Sequence, residues 1–457
     1  MPSTIRSFTI LLGLLLAIMT RASPQAPSSQ EQQYLFSVLP LIEKGQLHEA
    51  EGKLLEGLRL YPSSAILNNA LGIVYQREEN FDAAIRSFQE ALTVLPHFTA
   101  AQLHLALLYQ RQDRRQEAIK MFNLAASETV DLDALSAAGL GLAQCEEYAG
   151  AIRALEKARS LRHDSVSVAY NLALAYFKSG DLPAAKAIVE ATPLRDQQRE
   201  VDVIFLQGQI KEALNEDGSK DMAQACRLSP TVEHICTDAG LALIRRDRLI
   251  EAEELLRTNP ENARPSSGRL SALGLAQFRL GKYADAIAIY KRVLDQEPEA
   301  DEAREGLSFL LYMVGDLSQA GQVAEAGLQR DEADFYLFQI HALILYRLSP
   351  EAWDRALLSL NRAIAKNHDF APSYFLRGKI AMERGQFEGA LRDFEEAARL
   401  DPKYPLPHYK IAQILSRQGK AQQAETSKKR FFELGQMREE ELMVKQTQDV
   451  LMRKAYR

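Results

Sequence analysis

A sequence betrays chemistry mainly through side chains at fixed, recognisable spacings, and this chain of 457 residues offers few of them. Its eight histidines stand at positions 48, 97, 104, 163, 234, 341, 368 and 408. None pairs with another at the H-x-x-x-H spacing that puts two imidazoles on one helix face for zinc. No G-x-S-x-G elbow presents a nucleophilic serine. Gly139-Leu140-Gly141 sits inside a helical pattern, and Gly281-Lys282 lacks the following Ser or Thr of a phosphate-binding loop, so neither suits a nucleotide. The acidic run Glu439–Glu441 reads as a solvated helix face. Cys226 and Cys236 lie across a short turn, within reach of a disulfide. The preferred reading is that each fills a small core slot, with Cys145 unpaired either way. These residues imply no catalytic site, no metal and no cofactor, and the expectation is a protein that is not an enzyme.

Bulk properties narrow the class. Hydrophobic residues make up 46% and charged residues 25%, which argues for a packed chain over a disordered one. The formal net charge of −6 gives no support to a nucleic-acid partner. At the N-terminus Arg6 precedes an apolar run from Phe8 to Met19, and Thr20-Arg21-Ala22 offers a cleavage site before Ser23. That is the pattern of a secretory signal peptide over residues 1–22. The run is too short for a membrane-spanning helix of ~20 residues. An uncleaved anchor is the alternative, and only that would bring in a membrane. Residues 23–33, rich in Pro, Ser and Gln, read as a flexible linker.

The elements that must position any functional side chain are written as a repeat of about 34 residues, from residue 31 to 435. Small residues recur at its eighth position, as in Gly72, Gly139, Gly240, Gly274 and Gly378. A second small residue follows about twelve positions later, as in Ala84, Ala151, Ala252, Ala286 and Ala390. Such pairs let two joined helices cross closely. Gly45, Gly180, Gly281, Gly315, Gly385 and Gly419 fall where the first helix of a copy needs a left-handed cap. Pro62, Pro96, Pro230, Pro298 and Pro402 fall where the second helix must stop. The sixth copy, Val201–Pro230, is two residues short, and the tenth is two long. In the ninth, Ala324 and Gly327 replace large core residues, which suits drift or a flexible joint. Charged residues 436–457 predict a helix that caps the end of the stack, continuing from the last second helix.

The series Gly72, Tyr75, Ala84, Phe88, Ala91, Pro96 and its counterpart Gly378, Ala381, Ala390, Phe394, Ala397, Pro402 resemble the tetratricopeptide repeat. The resemblance covers about twelve copies. It implies an all-α fold, an α-solenoid of helix-turn-helix repeats forming a right-handed superhelix. It also implies that the first helices line a concave groove, with positions 2, 5, 9 and 12 facing in and 13 at the rim. Position 9 is mostly Leu, which argues against the Asn-based carboxylate clamp of some family members. Positions 5 and 12 supply aromatics: Tyr170, Phe177, Phe205, Phe278, Tyr312, Tyr346, Phe375 and Tyr409. Packing of these rings between helices is the alternative to lining a groove. Position 13 supplies Arg77, Arg111, Lys178, Arg245, Arg279, Arg347 and Arg417. These cations either compensate helix dipoles or form a ladder that guides an acidic partner.

The function expected is therefore an exported, periplasmic or secreted scaffold binding acidic or amphipathic polypeptides, in envelope assembly or secretion. A carrier or sensor of a lipid or acyl chain is the runner-up.

Overall fold

The computed structural model describes residues 29–193, 200–258, 264–329, 333–435 and 438–455. The expected signal segment lies outside the described residues. Helix begins at Ser29, so the last five residues of the expected linker open the first helix, where Glu31 meets the positive end of the dipole.

Among the described residues there are twenty-five α-helices and no strand. The chain divides into two compact units, Met1–Gly218 and Ser219–Arg457. The first holds α1 (Ser29–Glu43), α2 (Leu47–Leu60), α3 (Ala65–Arg77), α4 (Phe81–Val94), α5 (Thr99–Arg111) and α6 (Arg115–Glu128). It continues through α7 (Leu132–Gln144), α8 (Tyr148–Leu161), α9 (Val166–Ser179), α10 (Leu182–Glu190) and α11 (Val201–Ala213). The second unit opens with α12 (Ser219–Leu228), α13 (Glu233–Arg245), α14 (Leu249–Arg257), α15 (Ser267–Arg279), α16 (Tyr283–Gln296), α17 (Asp301–Met313) and α18 (Leu317–Leu328). It ends with α19 (Phe335–Leu348), α20 (Trp353–Lys366), α21 (Ala371–Glu383), α22 (Phe387–Leu400), α23 (Pro405–Arg417), α24 (Ala421–Glu433) and α25 (Glu439–Ala455). Up to α24, odd-numbered helices are the first of each repeat. Within each unit they pack on the helices that precede and follow them. The unit boundary falls in the sixth copy, the one shortened by two residues. The tenth copy, two residues longer, carries a short 3-10 turn, Pro350–Ala352, ahead of α20.

Close approach within a pair has a specific cause. A β-carbon added at Gly72 would lie 2.5 Å from the Phe88 ring, and one at Gly378 would lie 2.8 Å from Phe394. Gly274 faces Tyr290 in the same way. The small residue of the first helix thus seats the large residue sixteen positions later, and the second small residue (Ala84, Ala286, Ala390) is fully buried beside it. All six glycines expected at left-handed caps have positive φ, from +73° to +88°. Five further turns use Glu79, Asp113, Glu146, Asn215 and Asp247 at φ between 55° and 62°, where an L side chain is strained.

Three expectations change. Cys226 and Cys236 are joined by a disulfide, because the end of α12 and the start of α13 bring their Cα atoms to 4.7 Å; they do not fill separate core slots. Ala324 and Gly327 are not drift: a β-carbon at Gly327 would collide with the Arg304 side chain. Arg304 is buried and donates to the carbonyls of Pro298 and Val323. The ninth copy is small there to house a guanidinium. Finally, α24 does not run on: it stops at Glu433, and α25 is a separate helix that does not extend the stack.

Three features yield measurable outcomes. Gly72→Ala drives a methyl into Phe88 and is expected to cost about 1–3 kcal/mol. Asp113→Gly relieves a strained turn and should stabilise by roughly 0.5–1 kcal/mol, both read from urea midpoints. His104 is 1% exposed, its Nδ1 is 3.0 Å from Asn69 Oδ1, and burial pushes the imidazole down from 6.5 to about 4. Its neutral ring stabilises the fold fully above pH 6.5, and that contribution is lost as the pH falls toward 4. The loss amounts to about 3 kcal/mol at most. Comparing midpoints at about pH 7 and about pH 4 should show this component in the wild type and not in His104→Gln.

Candidate functional site

In the second unit, α25 lies on the first helices of the preceding repeats. Its Glu439–Glu441 run stands at the positive end of its dipole, and Arg453 and Lys454 at the negative end. Met443, Thr447, Val450, Leu451 and Lys454 recur at helical spacing and form one face. Thr447, Val450 and Leu451 are buried.

The helix crosses the repeats in reverse order. Glu439 Oε1 is 2.5 Å from Lys379 Nζ on α21, and that ammonium stands 4.7 Å above the Tyr346 ring. Next, Met443 and Gln446 meet Phe309, Leu343, Phe375 and Tyr404 around a cavity of 20 Å³, room for about one water. The Thr447 hydroxyl is 2.6 Å from the Tyr336 hydroxyl on α19, with both side chains buried. Leu451 shares a second cavity with Leu241, Ser271 and Leu275, from α13 and α15. Lys454 Nζ then lies 2.6 and 2.8 Å from the two carboxyl oxygens of Glu305 on α17, and 2.7 Å from Asp334 Oδ2.

The face that α25 covers contains Tyr336, Glu305, Gln339, Phe375, Phe309, Leu343 and Lys379, the residues at positions 2, 5 and 9 of their repeats. Its two ends carry opposite charge. One ammonium cannot neutralise two carboxylates, and Glu305 is wholly buried. Burial pushes its carboxyl up to about 8, against the pull of Lys454 and with the push of Asp334. Burial also opposes the Lys454 ammonium, but Glu305 and Asp334 outweigh it and raise its pKa.

The aromatics named from sequence separate into groups. Tyr312, Tyr346 and Phe375 gather near Lys379, and burial pushes the Tyr312 hydroxyl up against the nearby Arg347 and Lys379. Phe278 is 0% exposed, 5.9 Å from Phe309 and 6.0 Å from Tyr283, so it is core and not groove lining. Tyr409 is exposed and rests 5.2 Å from Phe431. In the first unit, Tyr170 and Phe177 are half-buried against Val203 and Leu206, and Phe205 is buried. Lys178 borders a cavity of 170 Å³ with Leu140 and Leu174.

The cations do a job the repeat makes regular. Arg77 donates to the Ile42 carbonyl, Arg279 to Ile244 at 2.7 Å and Arg347 to Tyr312 at 3.0 Å. Each acceptor is in the last turn of the preceding repeat's first helix, where carbonyls lack intrahelical donors. Arg279 also reaches Asp247 at 3.1 Å, and Arg111 is 3.9 Å from Glu79, both at strained turns of the preceding repeat. Arg347 lies over Tyr312 and Arg417 over Phe387, 5.1 and 5.5 Å from the ring centres. Arg245 occupies the matching last turn of α13. At Arg77, Arg279 and Arg347 the compensation therefore reaches the helix end of the preceding repeat as well as their own. Arg279→Ala is expected to cost about 1–2 kcal/mol in a denaturation midpoint. Arg279→Lys should recover only part, since a point charge cannot span carbonyl and carboxylate as a guanidinium does.

The repeat register places Tyr336, Glu305 and Lys379 on the inner face, but sequence reasoning missed their pairing with Thr447, Lys454 and Glu439, and missed Asp334 altogether. The signal available was the spacing of Met443, Thr447, Leu451 and Lys454, hidden because two of the four are polar.

Comparison with known proteins agrees with this architecture. A family model described as TPR repeat matches residues 378–419, and one described as Tetratricopeptide repeat matches 75–145, 142–203 and 277–344, together just over half the chain. No curated protein matches it. Among solved structures, the Naa15/Naa10 complex bound to HypK-THB is 17% identical, with 87% of this chain and 68% of that chain covered and a TM-score of 0.39. Yeast Tom70 is 14% identical, with 88% and 96% covered and a TM-score of 0.37. YrrB, titled a TPR protein with an unusual peptide-binding site, is 16% identical, with 42% and 97% covered and a TM-score of 0.36. On its repeats, its helical pairs and the family models that match it, this chain belongs to the tetratricopeptide repeat family, whose fold is a protein-interaction scaffold.

Proposed function

We propose that this chain is an exported scaffold, not an enzyme, that binds amphipathic helical segments of other polypeptides on the face formed by its first helices. The observation that carries this reading is α25 itself: the face of α15 to α23 accepts a helix, with apolar contacts along it and an ion pair at each end. Helix-in-groove recognition uses anchors at this helical spacing. The disulfide Cys226–Cys236 suits an oxidising compartment, as does the N-terminal pattern over residues 1–22, and a role in envelope assembly or secretion follows from that location.

A second reading, a carrier of an acyl chain, draws on the first unit. Leu140 is 41% exposed and, with Leu155, Leu174 and Lys178, borders the cavity of 170 Å³. Pockets that enclose a small molecule run to about 300 Å³ and above, so this space is too small to hold such a ligand, and the polypeptide reading is preferred.

Native mass spectrometry of the protein purified from its own host tests the choice. Co-purifying polypeptide is expected, and retained lipid without polypeptide would overturn the scaffold reading. N-terminal sequencing of the same sample should begin at Ser23. A chain retaining Met1 in a reducing compartment would overturn export.

A further inference from the structure

We infer that α25 is an internal competitor, occupying the groove in place of a partner helix with the same chemistry: a carboxylate near its start, a mixed apolar and hydroxyl face, and an ammonium about four turns later. This rests on the scaffold reading above and adds the partner's character and its regulation.

Three observations carry it. First, α25 rests on one face only. It buries three of its seventeen residues, Thr447, Val450 and Leu451, as few as a second helix such as α22 and far fewer than the ten of α17 and of α19, the first helices it lies on. With little apolar surface buried, its seat depends on polar contacts as well. Second, its strongest interactions are ones that water or another helix can replace. Glu439–Lys379 and Lys454–Asp334 are ion pairs, and Lys454 also reaches the Glu305 carboxyl, which burial pushes toward its neutral form. Removing such charges from water opposes much of their attraction. Release of the helix rehydrates Glu305 and Asp334, and that gain offsets much of the broken ion pairing. Third, the groove does not suit standing empty. Phe309, Leu343 and Phe375 lie under α25, and a contiguous apolar face of this kind calls for a cover. An opposite charge at each end sets the direction in which a covering helix runs. Lys379 selects a helix whose acidic start lies over α21, and Glu305 with Asp334 select a basic end over α17. The partner is thus an amphipathic helix with an Asp or Glu in its first turn and a Lys in its last.

The test uses a fluorescein-labelled peptide of residues 438–455 as the probe, titrated by anisotropy into the full chain and into the full chain carrying Leu451→Asp with Lys454→Glu. The double variant frees the groove and is expected to bind the peptide at least about ten-fold more tightly than wild type. Adding Glu305→Lys should abolish that gain, and a peptide carrying Lys454→Glu should restore it. If the double variant keeps its helical content and cooperative melting but binds no more tightly, the inference fails. Hydrogen exchange on the unaltered chain gives an answer that needs no variant: α25 amides should exchange at least about 100-fold faster than those of α19. Equal protection would make α25 a fixed part of the fold and overturn the competitor. Host polypeptide co-purifying while the peptide fails to bind would sink this inference alone. Peptide binding with no host polypeptide would sink the scaffold reading alone.

Discussion

A helix crossing with room for little or no side chain is the constraint on which most repeats of this chain depend, and in five of them a large side chain stands where the β-carbon of a glycine would be. Phe88 fills the space above Gly72, Tyr290 that above Gly274 and Phe394 that above Gly378, while the neighbouring alanine is wholly buried. The helices of a pair can close only because one partner has given up its side chain at the crossing. Close-packed interiors tolerate neither a void nor an extra methyl at such a point. Once the pair is fixed, the next pair can stack on it, and the first helices come to share a face.

That face is where the two units differ. In the first, Leu140 remains 41% exposed. In the second, the equivalent positions Phe309 and Leu343 are covered by α25. A solenoid normally meets solvent or a partner along this surface, so the covering helix shows what kind of object the surface fits. Its grip relies on two ion pairs and one hydroxyl contact as well as on apolar burial, which makes the fit directional.

Much of this was legible in the sequence. Small residues in phase, the cap glycines and the prolines that end second helices each carry a backbone requirement that few residues meet. Of the five other left-handed turns, Asp113, Asn215 and Asp247 carry a residue that takes this conformation more readily than most, while at Glu79 and Glu146 the turn geometry imposed by neighbouring helices overrides the preference of the residue. The seat of α25 was hidden for a related reason. Its buried face includes a threonine and a lysine, and their partners Tyr336 and Glu305 are more than a hundred residues away. Periodicity reports one element at a time and cannot supply that pairing. Nor could it choose between two cysteines in separate slots and two in a bond, since that depends on how closely one turn brings two helix ends.

The arginine contacts give the stack a direction in time. Arg77, Arg279 and Arg347 each complete the helix end of the repeat before their own. A ribosome delivers the chain from its N-terminus, so at these three helix ends the carbonyl, already held by an N–H of its own turn, gains its second donor only when the following repeat has been made.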